Sequence, residues 1–146
     1  MGSNMTKQIK FRGFRVDGKG LVEGYYVCRP DGKHLIYWKP FPESTNNTYH
    51  EIRPESLGQF TGQTDKNGKE IFGAIGEKGG DIVRIDKSGM FIFAESKTLV
   101  VSYVSQSARF HLIGTTYDNL HEALHDISGK NCSEIIGNQF EQDNGK

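Results

Sequence analysis

The chain has 146 residues, with 18 basic and 18 acidic side chains and a formal net charge of zero. This length suits one compact domain, and 18 glycines with 35% hydrophobic residues favour a loop-rich β protein over a helical bundle. The balanced charge argues against duplex DNA as the ligand, because neutralising phosphates requires surplus Lys and Arg.

Two cysteines, Cys28 and Cys132, lie outside any Cys-x-x-Cys pair, which argues against a structural zinc site and fits a reducing, cytoplasmic compartment. No apolar run is long enough to span a bilayer, so no membrane association is expected. Residues 1–4 are interpreted as an expression scar before Met5, and residues 142–146 as a tail. The remaining residues, 5–141, are expected to form a single domain.

Most of the chain is predicted to be extended, because short runs of β-branched and aromatic residues alternate with Gly, Asn, Asp and Pro. The predicted strands cover residues 9–16, 21–28, 34–38, 49–53, 56–61, 69–72, 80–85, 90–95, 98–104, 109–114 and 133–140. Turns are expected at residues 17–20 and at Asp31-Gly32. A loop with two prolines is expected at 40–47, and two lobes dividing near residues 40–48 are the alternative to one continuous unit.

The segment Asp65-Lys66-Asn67-Gly68 predicts a hairpin turn. Asp65 suits the first position of a type I turn, and Gly68 suits the left-handed position that follows. A two-residue Asn-Gly turn is the alternative. Residues 73–80, which are rich in glycine, lack the Lys-Ser/Thr pair and the following helix of a phosphate-binding loop. A mobile loop between strands is expected there.

One helix is predicted, over residues 117–127. Its apolar residues are spaced as on a single buried helical face, and they are Leu120, Ala123, Leu124 and Ile127. The same segment contains His121-Glu122-x-x-His125, the spacing with which metalloproteases hold zinc and polarise water. Ser128 stands where the extended motif needs Gly, and no His follows His125. A helix that simply packs on the core is therefore favoured, and a small zinc hydrolase is the minor alternative.

Several of these segments, in this order, resemble the YopX-type phage and prophage proteins. The shared motifs are Lys10-Phe11-Arg12-Gly13-Phe14, Gly24-Tyr25, Leu57-Gly58-Gln59-Phe60-Thr61-Gly62, Asp65-Lys66-Asn67-Gly68-Lys69, Gly80-Asp81-Ile82-Val83 and Glu134-Ile135-Ile136-Gly137-Asn138. Two departures are the inserted residues 73–79 and the missing Glu-Asn-Pro-Glu-Leu ending. The resemblance implies a phage or prophage origin and an all-β architecture with one or two small sheets or barrels. With the helix predicted from the residue pattern, the expected fold is mainly β, with small sheets or a partly open barrel, SH3-like or two-lobed, and one short C-terminal helix. The resemblance supplies no catalytic residues.

Aromatic side chains interleave with Arg and Lys in the N-terminal half, and a β surface of this kind can stack single-stranded bases. The candidate binding surface comprises Tyr26, Arg29, Trp38 and Lys39. The favoured function is an accessory module that binds an unknown protein partner without a cofactor and without catalysis. A single-stranded nucleic-acid binder is the alternative, and self-association into a homo-oligomer stays open.

Overall fold

The computed structural model describes residues 9–38, 48–85, 97–104, 109–113, 120–126 and 128–143, and this part of the chain is mainly β, as predicted. The strands are β1 (Phe11–Phe14), β2 (Leu21–Cys28), β3 (His34–Tyr37), β4 (Tyr49–Glu51), β5 (Gly58–Thr64), β6 (Glu70–Ala74), β7 (Asp81–Ile85), β8 (Lys97–Val104), β9 (Arg109–Leu112) and β10 (Ser133–Asn138). A 3₁₀ turn covers Pro54–Ser56, and two short helices are α1 (Leu120–Leu124) and α2 (Gln139–Asp143).

The strands form one continuous sheet in the order β10-β7-β8-β6-β5-β1-β2-β3-β4, with β9 also paired to β8. All neighbours are antiparallel except β6 and β8, which pair in parallel at Ala74 and Ser102. The sheet curls at its N-terminal end, where Arg15, just after β1, bridges Ile52, just after β4. The first four strands thereby curl back on themselves, which confirms the predicted partly open barrel.

Two separate hydrophobic clusters fill the interior. Ile36, Ile52 and Leu57 form the first, with Phe11, Val22 and Tyr26 packed against it. The second lies under the C-terminal strands and comprises Ile71, Val83, Ile85, Val101, Leu112, Leu120, Ala123 and Leu124. In chain order, the residues of the first cluster end at Leu57 and those of the second begin at Ile71. The break proposed near residues 40–48 lies largely outside the described residues and stays a prediction.

The hairpin predicted at Asp65-Lys66-Asn67-Gly68 is confirmed, and it joins β5 to β6. The Gly68 N–H donates to the Asp65 carbonyl at 2.9 Å, and Gly68 has a φ of 83°. The turn therefore has four residues, with Asp65 first and the left-handed Gly68 last. A two-residue Asn-Gly turn would not place the Gly68 N–H against the Asp65 carbonyl. The strands β5 and β6 extend further along the chain than the sequence predicts.

The glycine-rich segment 75–80 joins β6 to β7 and differs from the mobile loop that was expected. The Ile75 and Gly76 N–H groups donate to the Leu57 carbonyl at 3.0 and 2.8 Å, and the Lys78 N–H donates to the Glu55 carbonyl at 2.8 Å. A Cβ on Gly79 would collide with the Leu57 backbone. The glycines therefore permit close packing of two backbones.

In the C-terminal part, α1 lies within the helix predicted over 117–127 but ends at Leu124, because His125 pairs with Asn131 instead of continuing the helix. Leu120, Ala123 and Leu124 are buried as predicted, whereas Ile127 and the strand expected at 90–95 lie outside the described residues. The last strand was expected to continue to residue 140, but it ends at Asn138. There the Asn138 Oδ1 accepts the Glu141 N–H at 2.9 Å and begins α2. Within the described ranges, no helix has the length and apolar character needed to cross a membrane.

Candidate binding cleft

A buried ion pair joins the two halves of the sheet. Arg12, on β1, is 7% exposed, and Asp81, at the start of β7, is 2% exposed. The Arg12 Nη2 donates to Asp81 Oδ1 at 2.7 Å. The second oxygen, Asp81 Oδ2, accepts the Phe72 N–H at 2.8 Å, so both oxygens of the carboxylate are occupied.

The arginine of this pair is held on two further sides. Its guanidinium carbon lies 4.6 Å from the centre of the Phe72 ring, within the range of a cation–π contact. Its Nη2 also lies 3.4 Å from the Gly79 carbonyl, on the glycine-rich segment. The planar guanidinium is fixed by stacking as well as by charge, which lysine could not reproduce.

Burial raises the pKa of Asp81 above its ordinary value of 3.8, since a charged carboxylate is disfavoured away from water. The Arg12 charge and the Phe72 N–H act in the opposite direction but do not cancel this effect. Asp81 therefore binds a proton more readily in the folded chain than in the unfolded chain.

The ion pair lines a cleft of about 400 Å³ between the N-terminal strands and β10. The cleft has four carboxylates, from Glu23, Glu70, Asp81 and Glu141, and two cations, from Arg12 and Lys69. Its apolar walls include Leu21 and Ile136, which are 43% and 46% exposed. Negative charge is thus in excess beside two accessible aliphatic side chains.

Lys10 lies beside the cleft and binds two of its carboxylates. The Lys10 Nζ is 2.8 Å from Glu70 Oε1 and 3.8 Å from Glu23 Oε1. The hydrogen bond to Glu70 raises the pKa of Lys10, although partial burial opposes it. Glu70 is therefore neutralised within the chain, whereas Glu23 is only loosely paired.

The outer edge of β10 is held at one end by the hairpin turn. The buried Asp65 carboxylate uses Oδ1 to accept the Asn67 and Lys69 N–H groups, both at 2.9 Å. Its Oδ2 accepts the Ile135 N–H at 3.0 Å, and the Lys66 N–H donates to the Ser133 carbonyl at 2.9 Å. The Ser133 carbonyl and the Ile135 N–H therefore point away from β7.

The structure describes three of the four residues of the predicted aromatic surface, Tyr26, Arg29 and Trp38. Tyr26 faces inward, stacks on His34 at 5.9 Å and is hydrogen-bonded to the His34 Nδ1 at 2.7 Å. It was expected to be exposed, but strand alternation places it on the side of the first hydrophobic cluster. Trp38 is 46% exposed, Arg29 is paired with Asp31 at 3.0 Å, and Lys39 lies outside the described residues.

Of the two histidines of the His-Glu-x-x-His segment, His121 lies on α1 and His125 directly follows the helix, where it bridges Asn131. Their rings stack at 4.1 Å, and the His125 Nδ1 is 2.8 Å from the His121 carbonyl oxygen. His121 also approaches Gln63 of β5 at 3.3 Å. In the part of the chain that the structure describes, no group of three or more His, Cys, Asp or Glu side chains is arranged to hold a metal.

A comparison with family models finds a match to the YopX protein family over residues 10–144. The chain belongs to this family. No curated protein matches the chain. The YopX match includes both partners of the buried ion pair. It also includes β10, which lines the cleft, and the hairpin turn at residues 65–68, which is hydrogen-bonded to the edge of β10.

Sequence reasoning missed the pair of Arg12 and Asp81, although each stands in one of the motifs that resemble the YopX proteins. The residues are 69 positions apart, and no local pattern predicts that β1 and β7 approach each other. A usable signal was present nonetheless. Arg12 stands inside the short strand β1, Asp81 stands directly before the apolar pair Ile82-Val83, and buried charges are normally paired.

Proposed function

We propose that this member of the YopX family works by binding a partner protein in its charged cleft, and not by catalysis. We further propose a phage or prophage origin, from the sequence resemblance, and a site of action in the bacterial cytoplasm. The observation that carries the proposal is the cleft itself, with its excess of carboxylates beside exposed Leu21 and Ile136.

The state of the buried charges supports binding over chemistry. A general acid or base must reach a proton of its substrate. Asp81 is almost completely buried, and both of its oxygens are occupied by Arg12 and Phe72. The pair thus serves to join β1 to β7 and to form the floor of the cleft, which leaves recognition to the more exposed side chains at its rim.

The proposal is tested by site-specific photo-crosslinking in cells of a bacterial host that carry the phage or prophage. p-Benzoylphenylalanine replaces Leu21, in the cleft, or Tyr103, which is 41% exposed on β8 and lies outside the cleft lining. We expect a discrete crosslinked protein only from position 21. The same products from both positions, or none from position 21, would contradict the proposal. A crosslink between two copies of the chain would identify the partner as a second copy.

A further inference from the structure

The proposed protein-binding role leaves open what kind of segment fills the cleft. We propose that the occupant is an extended segment that carries Lys or Arg and pairs as an added strand along the outer edge of β10. This inference rests on the proposed function and specifies the chemistry and conformation of the partner.

Charge determines the chemistry of the segment. Glu23 lies 3.8 Å from Lys10 and is 45% exposed at its side chain, so it is available to a second cation. Glu141 is exposed and has no cationic partner among the residues that the structure describes. Both carboxylates line the cleft, where they attract a basic side chain and repel phosphates.

The position of β10 determines the conformation. It is the terminal strand of the described sheet and pairs only with β7 there, so its other edge can accept a further strand. Asp65 and Lys66 cover this edge at Ser133 and Ile135. Beyond that point, residues 135–138 line the cleft and the register shifts at a bulge.

One face of β10 is open at Gly137. A Cβ placed on Gly137 would meet no atom within 4 Å. In an added strand every second side chain would point into the cleft, while the backbone pairs with β10. Leu21, on β2, and Ile136, on β10, supply apolar contacts to the stems of Lys or Arg, which are themselves aliphatic.

The test uses a capped six-residue peptide of alternating Val and Arg, added to the isotope-labelled full chain and followed by amide NMR shifts. We expect saturable binding with the largest shifts at residues 135–138. The double variant Glu23→Gln/Glu141→Gln should weaken binding by roughly tenfold or more, since two charge pairs are lost. Glu77→Gln, on an exposed residue outside the cleft lining, is the matched control and should leave affinity unchanged.

Two N-methylated forms of the same peptide test whether it pairs as a strand. N-methylation of alternate residues along one edge of the peptide removes the N–H groups that would bond to β10, and methylation along the other edge does not. We expect one methylated peptide to lose binding and the other to keep it. Equal binding of both, equal binding of a Val and Glu peptide, or no effect of the double variant would overturn the inference. If position 21 still crosslinks to a protein in cells, the proposed function survives that failure.

Discussion

The titration of Asp81 is a direct consequence of its burial. Because burial raises the pKa of this carboxyl, the native chain takes up a proton there at a higher pH than the unfolded chain does. The contribution of Asp81 to the free energy of unfolding therefore increases as the pH falls through the raised native pKa. Below the unfolded pKa of 3.8 this increase is complete.

We predict that Arg12→Met raises the pKa of Asp81 further, because the charge that opposes the effect of burial is removed. Carboxyl-carbon NMR on chain labelled at aspartate would measure this pKa in both proteins. Asp17 is a control within the same spectrum, since the Lys19 N–H and Arg15 lower its pKa in a fully exposed position. A lower pKa of Asp81 in the variant would show that the Arg12 charge does not oppose the effect of burial.

Arg12→Met should also destabilise the fold by about 3–5 kcal/mol, the cost of leaving one partner of a buried ion pair without the other. Arg84→Met is the matched control. It removes an exposed cross-strand ion pair with Glu134 and should cost about 1 kcal/mol or less. Urea unfolding of the two variants would give both values. Equal, small losses would mean that the Arg12 pair contributes no more than a surface pair.

At the scale of elements, the hairpin between β5 and β6 depends on one left-handed residue. We predict that Gly68→Val destabilises the chain by roughly 1 kcal/mol or more, because a β-branched side chain is strained at a φ of 83°. Space is not the cause, since a Cβ at Gly68 would meet nothing within 4 Å. Gly137→Val, where space is equally open and φ is not positive, should be tolerated. Identical melting temperatures for Gly68→Val and the parent chain would exclude this account of the turn.

The elements that the sequence predicted best are those formed by neighbours in the chain. The turn at residues 65–68 and the hairpin of β1 and β2 are specified by local residue chemistry, and both are present. The pairings of β10 with β7 and of β6 with β8 join distant segments, and their register depends on packing that no local pattern contains. The end of β10 was misplaced because the capping by Asn138 was overlooked in a segment that also suits a strand.

The dependence on contacts between distant segments also explains why the candidate site was not predicted from the sequence. Alternation along β2 shows that Tyr25 and Tyr26 face opposite sides, but only the rest of the sheet decides which side is interior. Tyr26 is the ring that faces the first hydrophobic cluster, and Tyr25 is 50% exposed. The cleft residues could not be found from spacing, since they come from three separate parts of the chain, 12–23, 69–81 and 135–141.

At the scale of the whole molecule, the described structure shows no arrangement that would hold a metal, and we predict that the purified, tag-free protein contains no stoichiometric zinc. Of the two stacked histidines, His121 lies on α1, whose buried residues already account for the helix, and His125 follows it in a bridge to Asn131. Elemental analysis would test this. One zinc per chain that is lost in His125→Ala would instead support a hydrolase.

The neutral chain should bind duplex DNA weakly or not at all at physiological salt, because few counterions would be released. Any affinity for single strands should depend on Trp38, where stacking contributes about 1–3 kcal/mol per base. Fluorescence anisotropy over a salt series measures both. Trp38→Ala is compared with Tyr26→Ala, whose ring is packed against His34 and should contribute less. Tight duplex binding with a steep salt slope would show that the basic side chains are concentrated on one face of the protein.

The late position of β10 in the chain has a consequence during translation. β7 pairs with β8 on one side and with β10 on the other. β10 begins 48 residues after Ile85, so at about 5–20 residues per second the ribosome needs a few seconds to supply it. Until then the nascent chain presents an unpaired edge on β7, on the side opposite β8. The hydrogen bond from the Ile135 N–H to Asp65 Oδ2 also cannot form before Ile135 is made. Premature termination before residue 133 would leave a chain that chaperones and proteases recognise as unfinished.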